Sequence, residues 1–206
     1  MPIISDVLRS VTSRVSFRPS PTLIDRGFGL IYDVGRDITW LKDANYPKTI
    51  GRTNDGQMTW NQAMAWVASL SYRGIRGWRL PSALNHDGSG PCLGHNCSDS
   101  EIGHLFLVVR MVDTGVQFTN FQNSAKYWNS TEASPAEAYG WDFFGMRQGT
   151  LPKNPSTDSL PGLSTLTGPI LAWPVHNGDV SAEILQRIFT FGINSRATVS
   201  RVGAQT

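Results

Sequence analysis

An α+β fold of small antiparallel sheets, two helices and long loops is what this sequence of 206 residues predicts. Two short β-branched and aromatic runs, 28–32 and 38–41, flank Asp33-Val34-Gly35-Arg36-Asp37, the pattern of a hairpin. Two helix starts follow, each marked by a hydroxyl residue with Gln or Glu three positions on. Strand-like runs between Pro-, Ser- and Gly-rich loops fill the rest. Strands, then helices, then strands is not the βαβα alternation of a parallel sheet.

Each element has its own signal. After a turn-rich stretch at 42–58, Thr59 and Gln62 form a capping box that satisfies orphan backbone N–H groups. Trp60, Ala63, Met64, Val67 and Leu70 then recur at helical spacing, so one stripe faces a core. Gly77 to Leu80 reads as a short strand stopped by Pro81, and 85–97 as a loop rich in Asn, Gly and Cys. A second helix starts at Ser98 with Glu101 completing the box, and buries Ile102, Leu105, Phe106 and Val109. Strands are expected at 127–131, 139–144 and 170–175, around a long loop at 149–169. Ile184, Leu185, Ile188 and Phe189 have the spacing of a short amphipathic helix. The folded body is expected at 27–180, with arms at 1–26 and 181–206.

Composition removes several classes. With 40% hydrophobic and 17% charged residues, and 20 Gly, 12 Pro and 7 Trp, the chain is neither disordered nor a coiled coil. No apolar run reaches the ~18 residues of a membrane span. The formal charge of +2 is unevenly spread. Residues 27–180 carry 11 Lys+Arg against 13 Asp+Glu, and each arm contributes +2. A body that is slightly acidic offers no basic face interleaved with aromatics, so a nucleic-acid partner is not expected. The Ser- and Arg-rich start lacks the apolar core of about 7–15 residues that a secretory signal carries.

The ordered motifs carry a resemblance. Met58-Thr59-Trp60, then Gly77-Trp78-Arg79-Leu80-Pro81, then Ser100-Glu101-Ile102-Gly103-His104-Leu105-Phe106 are similar to the bacterial DUF1566 family, the Lcl C-terminal domain. Gly29-Leu30-Ile31-Tyr32-Asp33, Thr39-Trp40-Leu41, Tyr127-Trp128-Asn129-Ser130-Thr131-Glu132 and Ala172-Trp173-Pro174-Val175 fit the same order over 27–180. That resemblance implies a C-type-lectin-like fold in an exported, periplasmic or surface protein, commonly an adhesin. The fold also hosts formylglycine-generating enzymes, whose redox cysteines lie late in the chain; here none follows Cys97.

Residue chemistry adds candidate sites. Cys92 and Cys97, the two cysteines, would form a loop-stapling disulfide in an oxidising compartment, and would stay free thiols in a reducing one. Cys92, His95, Cys97 and His104 also have the ligand types of a zinc site, at cramped spacing. Asn85, Asp87 and Ser89 surround a Gly turn and offer oxygen ligands for calcium, short of a full calcium-loop pattern; tight turns select the same residues. Ser89 with His86 or His104 lacks a nucleophile-elbow context, and the acids Glu132, Glu137 and Asp142 read as solvated. No enzyme is therefore expected. The candidate ligand-binding set is Tyr127, Trp128, Asn129, Glu132, Tyr139, Trp141 and Arg147, which mixes aromatics with hydrogen-bonding groups. Strand alternation exposes only half of such a set together, and Trp128 and Trp141 would equally suit a core. The function expected is a non-catalytic extracellular or cell-surface domain that binds a protein or glycan. The alternative is an assembly subunit whose basic arms contact neighbouring copies in a homo-oligomer.

Overall fold

The computed structural model describes residues 23–111, 114–155, 169–184 and 186. Strands β1 (Leu23–Gly27), β2 (Leu30–Asp33) and β3 (Ile38–Leu41) form an antiparallel meander, and β8 (Val175–Asn177) pairs with β3 to complete a sheet ordered β1-β2-β3-β8. A second sheet is ordered β6-β5-β4-β7, from β4 (Lys126–Glu132), β5 (Glu137–Asp142), β6 (Arg147–Pro152) and β7 (Ile170–Leu171). Its pairs are antiparallel except β4 with β7. Helices are few: α1 (Tyr46–Thr49), α2 (Trp60–Ser69) and α3 (Glu101–Gly103), the last running into a π-helical turn, His104–Val108. The fold is thus mixed α+β with two small sheets.

The hairpin at 28–41 and the α2 capping box form as the local sequence dictates. Thr59 Oγ1 accepts the Gln62 N–H, and Gln62 Oε1 accepts the Thr59 N–H. The buried stripe of α2 is Trp60, Ala63, Trp66 and Val67; Met64 is only partly covered. The second helix begins two residues later than expected. Ser100, not Ser98, is its N-cap, because the Ser100 hydroxyl is the one that accepts the Gly103 N–H. Gly77 to Pro81 contributes a single bridge, Arg79 to Val175, in place of a strand.

Three strand expectations change. The run at 170–175 divides, because Ala172 to Pro174 carries the chain from β7 in one sheet to β8 in the other. Trp173, wholly buried at this crossing, donates its indole N–H to the Leu41 carbonyl at 2.7 Å. β6 occupies part of the expected 149–169 loop, since Arg147–Pro152 pairs in full register with β5. Finally, β1 crosses the expected arm boundary at residue 26: Leu23 is buried, and Arg26 pairs with Asp179 at 2.6 Å. A helical turn at 181–184 likewise continues the body and buries Ile184. The remaining arm residues, 1–22 and most of 185–206, and with them most of the expected C-terminal helix, lie outside the described residues.

Two apolar cores flank the second sheet. One joins α2 to Trp78, Trp128, Ala138 and Leu151. The other joins Ile102 and Leu105 to Trp40, Tyr127, Trp141, Phe143 and Trp173. Burying an aromatic side chain removes roughly 150–250 Å² from water, so these aromatics dominate the packing energy. Both faces of β4 are therefore covered.

Candidate functional site

That double cover decides the fate of the expected ligand-binding residues. Tyr127, Trp128, Asn129 and Trp141 are all fully buried, a correction to their reading as a ligand face. Trp128 Nε1 donates to the Met58 carbonyl at 2.9 Å, and Trp60 Nε1 donates to the Asn129 carbonyl at 2.8 Å. These two bonds lock the start of α2 onto β4. The Tyr127 hydroxyl accepts the Gln122 N–H at 3.1 Å, and burial pushes its phenol well above the ordinary value. The Asn129 amide donates to Gln148 Oε1 at 3.2 Å, inside the protein. Glu132 is taken by Lys153, whose ammonium also lies 4.6 Å from the Trp60 ring centroid. Tyr139 is half-buried and opposite Thr150, whereas Arg147 is exposed and opposite Asp142. Since Tyr139 and Asp142 differ by an odd number of positions on β5, Tyr139 and Arg147 stand on opposite faces. The seven residues do not form one surface.

What the structure does assemble lies around Arg147. Lys126, Asp142 and Arg147 are register partners across β4, β5 and β6, so they share one face of the sheet. They line a cleft of about 260 Å³, together with Gly94, Gly140, Gln148, Gly149, Thr150 and Leu151. Gly94 belongs to the 85–97 loop. Its N–H and carbonyl each bond the backbone of Gln148 at 2.9 Å, which seats that loop on the free edge of β6. The Gln148 side chain donates to the carbonyls of Ala83 at 3.0 Å and Cys92 at 2.7 Å. Sequence reasoning named Arg147 here and missed Lys126. Register with Asp142 was the signal, and it is available only once strand pairing is known.

The turn from β5 to β6 is apolar where a turn is usually polar. Phe144 is 82% exposed and Met146 53% exposed, while Phe143 between Trp141 and Phe121 is buried. Leu93, next to the loop's contact with β6, is 63% exposed. Scattered apolar residues on a surface need no explanation. Two in one short turn, beside a charged cleft, do.

The loop's other candidates resolve as local structure. Cys92 and Cys97 lie at disulfide distance, with Cα atoms 5.4 Å apart. His104, weighed with them as a zinc ligand, instead points toward the buried carboxylate of Asp33, 3.6 Å from Nε2 to Oδ1. The Asn85, Asp87 and Ser89 cluster bonds within itself. Asp87 Oδ1 accepts the Ser89 N–H at 2.8 Å, and Asn85 Nδ2 donates to Ser89 Oγ at 3.0 Å. Hydrogen bonds from Ser89 hold the Asp87 carboxyl below its ordinary value. Among the described residues no three His, Cys, Asp or Glu side chains gather as a metal site. No helix among them is long and apolar enough to cross a membrane.

The loop is also tied from outside. Arg36 donates to Asp99 at 2.6 Å, and Asp99 accepts the His86 N–H at 3.2 Å. The hydrogen bond from Arg36 holds the Asp99 carboxyl below its ordinary value. A carboxylate depressed in the folded state stabilises the protein above its unfolded pKa, about 3.9, and loses that contribution as pH falls through the folded value. Asp99→Asn is therefore expected to lower the melting temperature at pH 6 and to match the parent protein near pH 2. Melting curves at the two pH values check this; an equal deficit at both would assign the loss to packing instead.

Comparison with protein-family models, with curated proteins and with solved structures finds no match to this chain.

Proposed function

We propose that this chain is a non-catalytic extracellular or cell-surface binding domain with a C-type-lectin-like fold of the DUF1566 kind, gripping a protein or glycan ligand at the β5–β6 turn and the adjoining cleft. The observation that carries this reading is the exposure of Phe144 and Met146 in that turn. An aromatic held in water by a hairpin turn is a ready anchor, since it has only two side-chain torsions to order when a ligand covers it. The cleft supplies polar groups beside it, the usual division between anchor and orientation. Two small sheets, few helices and long loops are compatible with the fold that the sequence motifs imply. Cysteines at disulfide distance suit an oxidising compartment.

The test is a screen of the full chain against glycans and bacterial and host surface proteins, repeated with Phe144→Ser. A ligand whose affinity falls at least tenfold in the variant, with an unchanged melting temperature, supports the reading. Ligands bound equally well by both proteins, or none bound by either, overturn it.

A further inference from the structure

The cleft under the β5–β6 turn contains a lysine whose ammonium no protein anion meets. Lys126 is only 5% exposed, it lines the cleft, and its side chain makes no hydrogen bond or ion pair with any described residue. Its register neighbour Asp142 lies more than salt-bridge distance away and spends Oδ1 on the Gly145 N–H at 3.0 Å. The aliphatic stem of Lys126 is covered while the ammonium opens into the cleft, where no protein anion meets it. Packing alone would favour Met or Leu at this place, because the face around it carries Trp128, Leu151 and Ile170. A cation held by a covered stem and aimed into a cleft without a protein partner is placed to meet an anionic group of a ligand.

The rest of the lining narrows the ligand. Arg147 stands in the same row and is free of ion pairs among the described residues, so the row carries two cations and one anion. Roughly 10 Å separates the backbones of Lys126 and Arg147, twice the interstrand spacing. Two long side chains span that gap and close on one carboxylate. A second negative charge would meet Asp142, which disfavours a phosphate dianion. Asp142 Oδ2 instead accepts hydroxyl groups. Leu151 covers Gly140, whereas a Cβ built on Gly149 meets nothing within 4 Å, so a ring has room to lie against the backbone at Gly149. About 260 Å³ is below the usual range for drug-sized ligands and suits one unit of a chain.

We infer that the cleft takes one acidic sugar residue of a glycan, its carboxylate held by Lys126 and Arg147 and its hydroxyls by Asp142. This inference rests on the binding-domain reading and names the chemistry of its ligand. An acidic peptide would also satisfy the cations; the open floor at Gly149 and a volume of about 260 Å³, which suit one ring, are why the sugar is favoured.

The experiment is an amide-resolved NMR titration of the full chain with glucuronate. Glucose, a glutamate-rich peptide and inorganic phosphate serve as comparison probes. Glucuronate is expected to shift Gly140, Gly149 and Thr150 saturably, at millimolar affinity, with glucose at least tenfold weaker. Gly149→Leu, at a position where a Cβ meets nothing within 4 Å, fills the open floor, and Lys126→Met removes the cation. Each is expected to weaken glucuronate at least tenfold while the protein keeps its cooperative melting transition. Equal binding of glucose, preference for the peptide or phosphate, unchanged affinity in both variants, or no saturable shift would each overturn the inference. If these fail while a ligand still depends on Phe144, the acidic-sugar assignment falls and the binding-domain reading stands.

Discussion

Trp128→Ala is expected to lower the unfolding free energy by about 3–5 kcal/mol, the range for deleting a buried Trp. Trp128 has no exposed surface and packs where α2, Trp78, Ala138 and Leu151 meet. Its loss opens a void that the sheet cannot collapse into, because β4 is held on one side by β5 and on the other by β7. It also strips the indole donor from the Met58 carbonyl, leaving a buried acceptor unpaired. Trp128→Phe keeps most of the volume and removes that bond alone, at an expected cost of about 1–3 kcal/mol. Urea denaturation of both variants separates the two contributions. Wild-type stability of Trp128→Ala would mean that the residue faces solvent, and would return it to the ligand-binding set.

Gly103→Ala is expected to cost about 2–3 kcal/mol, at the upper part of the range for overpacking. The reason is steric and not conformational, since Gly103 has ordinary helical torsions with φ −61°. A Cβ there would fall on the Cys97 carbonyl oxygen and within 2.8 Å of Ser100 Oγ. Neither retreats easily. The Ser100 hydroxyl donates to that same Cys97 carbonyl at 3.2 Å and caps the helix, and the Cys97 side chain is held at disulfide distance from Cys92. Gly149→Ala, placed in open space, is the control and should change stability by less than about 0.5 kcal/mol. Thermal melts of the two glycine variants check the contrast; equal values would show that the helix start has slack against the loop.

The functional expectations fared differently from the structural ones, and the difference follows from range. The capping box of Thr59 and Gln62, the hairpin at 28–41 and the turn at 85–89 are closed by bonds between residues a few positions apart, so their chemistry is written in contiguous sequence. The helix-like run after Ser100 showed its apolar spacing but not its π-helical turn. The strand over Arg147–Pro152 carries a Gly and a Pro and no clean alternation, and it is extended because β5 and Gly94 pair with its two edges. Nothing local announces such a strand.

Tyr127, Trp128 and Asn129 illustrate the same limit at the site. Aromatics beside an amide have the composition of a binding face, and they also have the composition of a two-sided core. Alternation along β4 predicts one covered and one open face; the second cover comes from helices that lie some twenty and sixty residues away in the chain. Lys126 shows the converse. A lysine at the head of a strand reads as solvent-exposed, and its burial beside Asp142 and Arg147 arises from register between three strands.

By itself, then, the sequence determined the α+β class, the first hairpin, the cap that starts α2, the cysteine pair and the slightly acidic body, because each depends on composition or on neighbours within a few residues. Only the tertiary structure decided that four of seven expected ligand residues are core, that Phe144 and Met146 stand in water, and that Lys126 lines a cleft without a partner. Those are properties of which faces meet. The free energy that sets them, burial of apolar area against the cost of burying charge, is summed over residues far apart in the chain.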